Sequence, residues 1–163
     1  MQSFILIAFI VFSDQLSKIL IKLNLVKYEK VDILGNFLKF TYIENQGIAF
    51  GIDTSRFHVI VILLTFIAIF ALIYYKIHSS LKYERIPLEL IIGGAIGNAI
   101  DRILVLIPSL DYSGVIDFID IGFGNFRWFI FNLADTFITI GVILYFILHY
   151  RFNREYNAKS RDI

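Results

Sequence analysis

From Phe57 to Tyr75 the chain is apolar without a break, with His58 and Thr65 as the hydrophilic exceptions. At about 1.5 Å per residue a helix of that length crosses the roughly 30 Å of hydrocarbon in a bilayer. One such helix could also lie in a soluble core, so composition has to decide. With 58% hydrophobic residues in 163 and a mean hydropathy of +0.73, the chain is more apolar than a soluble domain of its size needs to be. A membrane protein is expected. The net charge of +1 leaves no footprint for nucleic acid, and no basic stripe alternates with stacking aromatics. The absence of cysteine removes disulfides, thiolate chemistry and cysteine-based metal sites. Two prolines, no low-complexity stretch and no internal repeat favour one unit spanning residues 1–163.

The pattern predicts an all-α membrane protein: four transmembrane helices at about residues 3–22, 57–76, 87–106 and 130–150, with a small extracytoplasmic β element at about 28–52. The first apolar run lacks a basic flank and no A-x-A follows, so it reads as a retained helix rather than a signal peptide. Within it Asp14 and Lys18 are spaced i,i+4 and can pair. Val31, Ile33, Leu38, Phe40 and Tyr42 recur at mostly alternate positions around Gly35-Asn36, the signature of a hairpin. Asn45 and Gly47 follow, in a stretch suited to a tight turn or a close backbone approach. Pro87 opens the third helix, where Gly93 and Gly97 permit close packing. Gly94, Asn98, Asp101 and Arg102 then share one polar face, which must look into the bundle.

Residues 107–129 read as a mixed loop, closing on Phe126, Trp128, Phe129 and Phe131 as an interfacial belt. Lys76, Lys82 and Arg85, with the basic tail beyond Tyr150, favour the cytoplasm for both termini. The β region and Asp117 then lie outside, with Asp135 near the outer face. Counted from Ile130, Asp135 sits about five residues into the last helix, roughly 7 Å below its end. An acid at mid-membrane costs about 3 kcal/mol, and no cation stands one turn away from Asp135. Paired with Asp117 it could share a proton and perform acid/base chemistry. On these residues alone, an ion- or proton-coupled carrier and a non-catalytic assembly factor stay open.

The words DQLSK (Asp14–Lys18), NQGIAFG (Asn45–Gly51), GGAIGNAIDR (Gly93–Arg102), VIDF (Val115–Phe118) and FNLAD (Phe131–Asp135) occur in an order that resembles the lipoprotein signal peptidases, bacterial signal peptidase II. The resemblance covers nearly the whole chain up to the tail. It implies an aspartyl endopeptidase of the bacterial cytoplasmic (inner) membrane, working without metal or organic cofactor. Its substrates would be prolipoproteins with a diacylglyceryl cysteine, cut just before that residue among membrane lipids, and globomycin-type cyclic peptides would inhibit it. The catalytic pair maps onto Asp117 and Asp135. Supporting positions map onto Asp14, Lys18, Asn45, Gly47, Gly94, Asn98, Asp101, Arg102, Asn132 and Ala134. In that assignment Asn45 and Asn98 hold substrate backbone or the site, Arg102 orients carboxylates and carbonyls, and Asn132 orients the dyad. Two departures stand out: Phe129, where the family often has proline, and a longer connection over 103–116, holding Pro108 and Asp111.

Overall fold

The structure, a computed structural model, describes residues 4–48, 52–53 and 57–159. Four long helices carry it: α1 (Ile5–Asn24), α2 (His58–His78), α3 (Arg85–Leu104) and α4 (Leu133–Lys159). The middle position belongs to α3, which packs against all three others. Small residues make that possible. A side chain at Gly93 would run into Ile10, one at Gly97 would meet the Asp14 carboxyl, and one at Gly94 would overlap the carbonyl oxygen of Ala134. The small-xxx-small step therefore packs helices within this chain. At Gly94 the obstruction is backbone and cannot swing aside, so Gly94→Ala should destabilise the bundle by about 1–3 kcal/mol. A thermal-unfolding shift in detergent measures it, and an unshifted midpoint contradicts the packing.

By contrast α2 buries only Ile62, Ile69 and Lys76 on a narrow stripe, while Val59, Ile60, Leu63, Ile67 and Phe70 are exposed. That much exposed apolar surface is an aggregation liability in water and is at ease in hydrocarbon. Among the described residues, α2 and the Leu133–Arg154 part of α4 are long and apolar enough to cross a membrane. The other two helices, 20 residues each, carry charges that point inward: Asp14 and Lys18 on α1, Glu89 and Asp101 on α3 are all buried.

A four-stranded antiparallel sheet joins the bundle, in the order β1 (Lys30–Leu34), β2 (Leu38–Asn45), β5 (Val115–Phe123), β6 (Phe126–Arg127); β3 (Gly47–Ile48) and β4 (Ile52–Asp53) form a separate two-residue ladder. The expected hairpin is present, turning on Gly35 at φ +52°, a left-handed conformation that glycine adopts without steric cost. The expected mixed loop over 107–129 is corrected: its centre is β5, nine residues long, and the β element extends well beyond 28–52. Ile116 and Phe118 pack with Ile21 and Tyr42 in one apolar cluster, while Asp117 between them is buried as well. A strand covered on both sides shows no alternation in its sequence.

The fourth helix also begins later than expected, at Leu133. The apolar residues ahead of it are extended and stitched to β5: Ile119 N–H donates to Phe131 O at 2.7 Å, Phe131 N–H to Ile119 O at 3.1 Å, and Trp128 N–H to Ile121 O at 2.8 Å. Asp135 is consequently in the first helical turn rather than about five residues into the helix. There the free N–H groups and the helix dipole favour a carboxylate, which removes most of the cost assigned to it from the sequence.

Candidate active site

Asn132 is the N-cap of α4. Its Oδ1 accepts the N–H of Asp135 at 2.9 Å, and Asp135 Oδ2 in return accepts the Asn132 N–H at 3.3 Å, a reciprocal capping box. The side-chain amide of Asn132 then reaches to the sheet, with Nδ2 at 2.7 Å from Asp117 Oδ1. One asparagine, fully buried, thus touches both aspartates. Each carboxyl has a second amide of its own: Asn45 Nδ2 donates to Asp117 Oδ2 at 3.0 Å, and Asn98 Nδ2 donates to Asp135 Oδ1 at 2.8 Å.

The Asn45 contact depends on a register shift. Phe40 lies opposite Ile119 but Ile43 lies opposite Asp117, so Thr41 and Tyr42 together face the single residue Phe118. Beyond this bulge Asn45 is opposite Val115 and diagonal to Asp117 on the same face of the sheet. Without the extra residue the strand would turn Glu44 toward Asp117 instead.

Behind the aspartates lies an ionic knot. Lys18 Nζ is 2.8 Å from Asp14 Oδ2, 3.0 Å from Asp101 Oδ2 and 3.0 Å from Asn98 Oδ1, which uses all three ammonium protons. Gln15 Nε2 bridges the same two acids, at 3.2 Å from Asp14 and 3.0 Å from Asp101. Each acid also accepts a backbone N–H next to a candidate catalytic residue. Asp14 Oδ1 holds the N–H of Ala134 at 2.9 Å, and Asp101 Oδ2 holds that of Ile116 at 3.1 Å. Asp14 therefore fixes the residue preceding Asp135, and Asp101 the residue preceding Asp117.

A cavity of about 620 Å³ opens on the pair. Asp117, Asp135, Asn45, Asn98 and Arg102 line its polar part, and Trp128, Phe129 and Ile138 are among the apolar residues lining the rest. Arg102 Nη1 donates to Asn98 O at 3.3 Å, and its guanidinium lies within electrostatic reach of Asp135 and Asp117. Burial, together with the charge of Asp135, pushes the Asp117 carboxyl up to about 7 against the opposing pull of the Asn45 amide, Lys18 and the Asn132 amide. An acid near neutrality beside a second carboxyl can hold one proton between the two.

The predicted site residues thus divide. Asp117, Asp135, Asn45, Asn98 and Arg102 reach the cavity, and Asn132 joins the two acids. Asp14, Lys18 and Asp101 are buried behind them and hold backbone. Gly94 is a packing residue, and Ala134 contributes its N–H. Gly47 pairs with Asp53 in the short ladder, while Ala49, Phe50 and Gly51 of its motif lie outside the described residues. Sequence reasoning placed neither Gln15 nor Glu44; Gln15 stood inside the quoted DQLSK word, but no periodicity marks a glutamine that bridges two acids on different helices.

A family profile described as signal peptidase (SPase) II matches residues 6–151. The chain is 36% identical over 152 residues to a lipoprotein signal peptidase of Fusobacterium nucleatum, covering 90% of this chain and 84% of that protein. It is 40% identical over 156 residues to one of Pelagibacter ubique, covering 93% and 87%. A solved structure described as a bacterial membrane enzyme superposes with a TM-score of 0.79 at 32% identity, over 90% of this chain and 86% of that one.

Proposed function

The chain belongs to the signal peptidase II family, a family of peptidases, and from that premise we propose that it removes the signal peptide of prolipoproteins by aspartyl chemistry at Asp117 and Asp135. The observation that carries the mechanism is the Asn132 bridge, which seats two carboxyl groups in one cavity, one on β5 and one in the first turn of α4. Asp117 holds the shared proton at rest, since its carboxyl is pushed up to about 7. Asp135 sits at a helix start whose N–H groups favour a carboxylate, and it takes the role of base. A water between them loses a proton to Asp135 as its oxygen attacks the scissile carbonyl, and Asp117 donates its proton to the carbonyl oxygen. When the tetrahedral adduct collapses, the proton on Asp135 passes to the departing amine and the hydroxyl proton returns to Asp117, so the pair ends as it began.

In this reading all four helices span the membrane, with both termini cytoplasmic and the sheet outside, so that the cavity opens near the outer face. The apolar lining by Trp128, Phe129 and Ile138 suits the acyl chains of a diacylglyceryl cysteine, and Asn45, Asn98 and Arg102 supply donors for the peptide carbonyls around the cut. A carrier would need Asp14, Asp101 and Asp135 along one path. Asp14 and Asp101 are instead sealed against Lys18.

The test is cleavage of a diacylglyceryl-modified prolipoprotein by the purified chain in detergent, beside the same substrate without its lipid and a globomycin-treated control. The shortened, lipidated product should appear only from the modified, untreated sample, and its rate should fall as pH rises through about 7, because deprotonating Asp117 removes the acid. Equal cleavage of the unlipidated substrate would remove the lipid from the specificity, and a rate flat across neutrality would remove the shared proton from the mechanism.

A further inference from the structure

Glu44 stands next to Asn45 on β2 but faces away from the aspartates, and its carboxylate is one of the most heavily bonded groups in the molecule. Oε1 accepts the Tyr42 hydroxyl at 2.6 Å and pairs with Lys22 at 3.2 Å. Oε2 accepts the Ser113 hydroxyl at 2.5 Å and the Ser113 N–H at 2.9 Å, and pairs with Lys27 at 3.0 Å. The side chain is 4% exposed. Burial alone would raise its pKa; the hydrogen bonds of Ser113, Tyr42 and Lys27 outweigh that and hold it at about 2. Glu44 therefore stays charged at any pH where the protein works.

What this group ties together is specific. Lys22 belongs to the last turn of α1, and it also donates to the carbonyl of Asp111 and stands over the Tyr112 ring at 3.8 Å. Ser113 lies two residues before β5, while Gly114 between them passes so close to Asn45 that any side chain there would strike its backbone. One buried carboxylate thus fastens the 111–113 approach, four to six residues upstream of Asp117, to β2 and to α1, Ser113 directly and Asp111 and Tyr112 through Lys22. The long connection over 103–116 would otherwise give the start of β5 freedom that a catalytic carboxyl cannot tolerate.

We propose that Glu44 is a positioning residue: by latching the 111–113 segment to β2 and the end of α1, it holds Asp117 in place and keeps water away from the closed side of its strand. This inference rests on Asp117 being catalytic. The charged groups facing Asp117 are Asp135 of α4, Lys18 of α1 and Arg102 of α3, with the Asn45 and Asn132 amides beside it. None of them touches Glu44 in any contact described above, so the latch acts on Asp117 through backbone position and burial.

The measurement is a pH profile of kcat and KM for the full chain on lipidated substrate, for wild type, Glu44→Ala, Glu44→Gln and Ser113→Ala. Loosening the start of β5 admits water, and less burial lowers a carboxyl pKa. Glu44→Ala should lose about tenfold to a hundredfold in kcat, with KM within about twofold. Its alkaline limb should move toward acid by at least about half a pH unit. Glu44→Gln and Ser113→Ala, which keep part of the latch, should show the same displacement to a smaller degree, and they carry the test if Glu44→Ala does not fold. Variants with a lowered unfolding temperature but an unmoved limb and unchanged kcat overturn the inference and leave Glu44 a stabilising residue only. Asp117→Asn assayed in parallel separates the two readings: if it cleaves like wild type, the dyad itself falls, and the role of Glu44 with it.

Discussion

Asp117→Asn and Asp135→Asn should each abolish cleavage of a lipidated prolipoprotein, lowering kcat by about 10²–10⁴-fold while the protein still folds. The two losses have different origins. At Asp135 an amide cannot accept the water's proton, so the base is gone. At Asp117 the amide can still donate a hydrogen bond to the scissile carbonyl, but it cannot transfer a proton to it. The double variant should be little worse than either single one, because residues acting as one unit lose nearly everything at the first substitution. Folding should survive in both cases, since asparagine keeps an acceptor for Asn132 at either position. A variant with near-normal turnover would take its residue out of the chemistry, whereas multiplying losses would mean that the two groups work independently.

The pair also accounts for what could and could not be read from the sequence. The hairpin was legible because β1 and the start of β2 alternate around Gly35, and the Asp14–Lys18 pair because i,i+4 spacing puts both on one helical face. The strand holding Asp117 was not, because VIDFIDIGF is covered on both sides and its pairing residues on β2 are 70 to 83 positions away in the chain. The start of α4 was signalled by Asn132-x-x-Asp135, but the preceding Trp128–Phe131 run is as apolar as the helix itself. Hydrophobicity therefore placed the boundary too early, and a favourable helix-cap acid looked like a costly charge inside the end of a span. Side-chain identity located the two acids; the bulge at Thr41-Tyr42 and the ladder from Ile119 to Phe131, which bring them together, leave no mark in composition or periodicity.

Lys18→Met should be the most destabilising single change in the bundle. Methionine nearly matches the lysine stem in volume, so packing is kept and the loss is one of charge. Asp14 and Asp101, 0% and 1% exposed, would then face each other's field with Gln15 Nε2 as their common donor among the described residues. Removing one member of a buried ionic cluster costs about 3–5 kcal/mol, because the remaining charge has neither partner nor water. The consequence should reach the chemistry, since these two carboxylates hold the N–H groups of Ala134 and Ile116, the residues immediately before Asp135 and Asp117. If one acid takes up a proton to relieve the repulsion, its grip on that N–H weakens, and the adjacent catalytic carboxyl moves with it. Lys18→Met should therefore both melt earlier and turn over more slowly, and the triple change Lys18→Met, Asp14→Asn, Asp101→Asn should regain stability without regaining rate. Recovery of full turnover in the triple variant would show that the knot only neutralises charge and sets no positions, and an unshifted melting point in Lys18→Met would show that water reaches the acids.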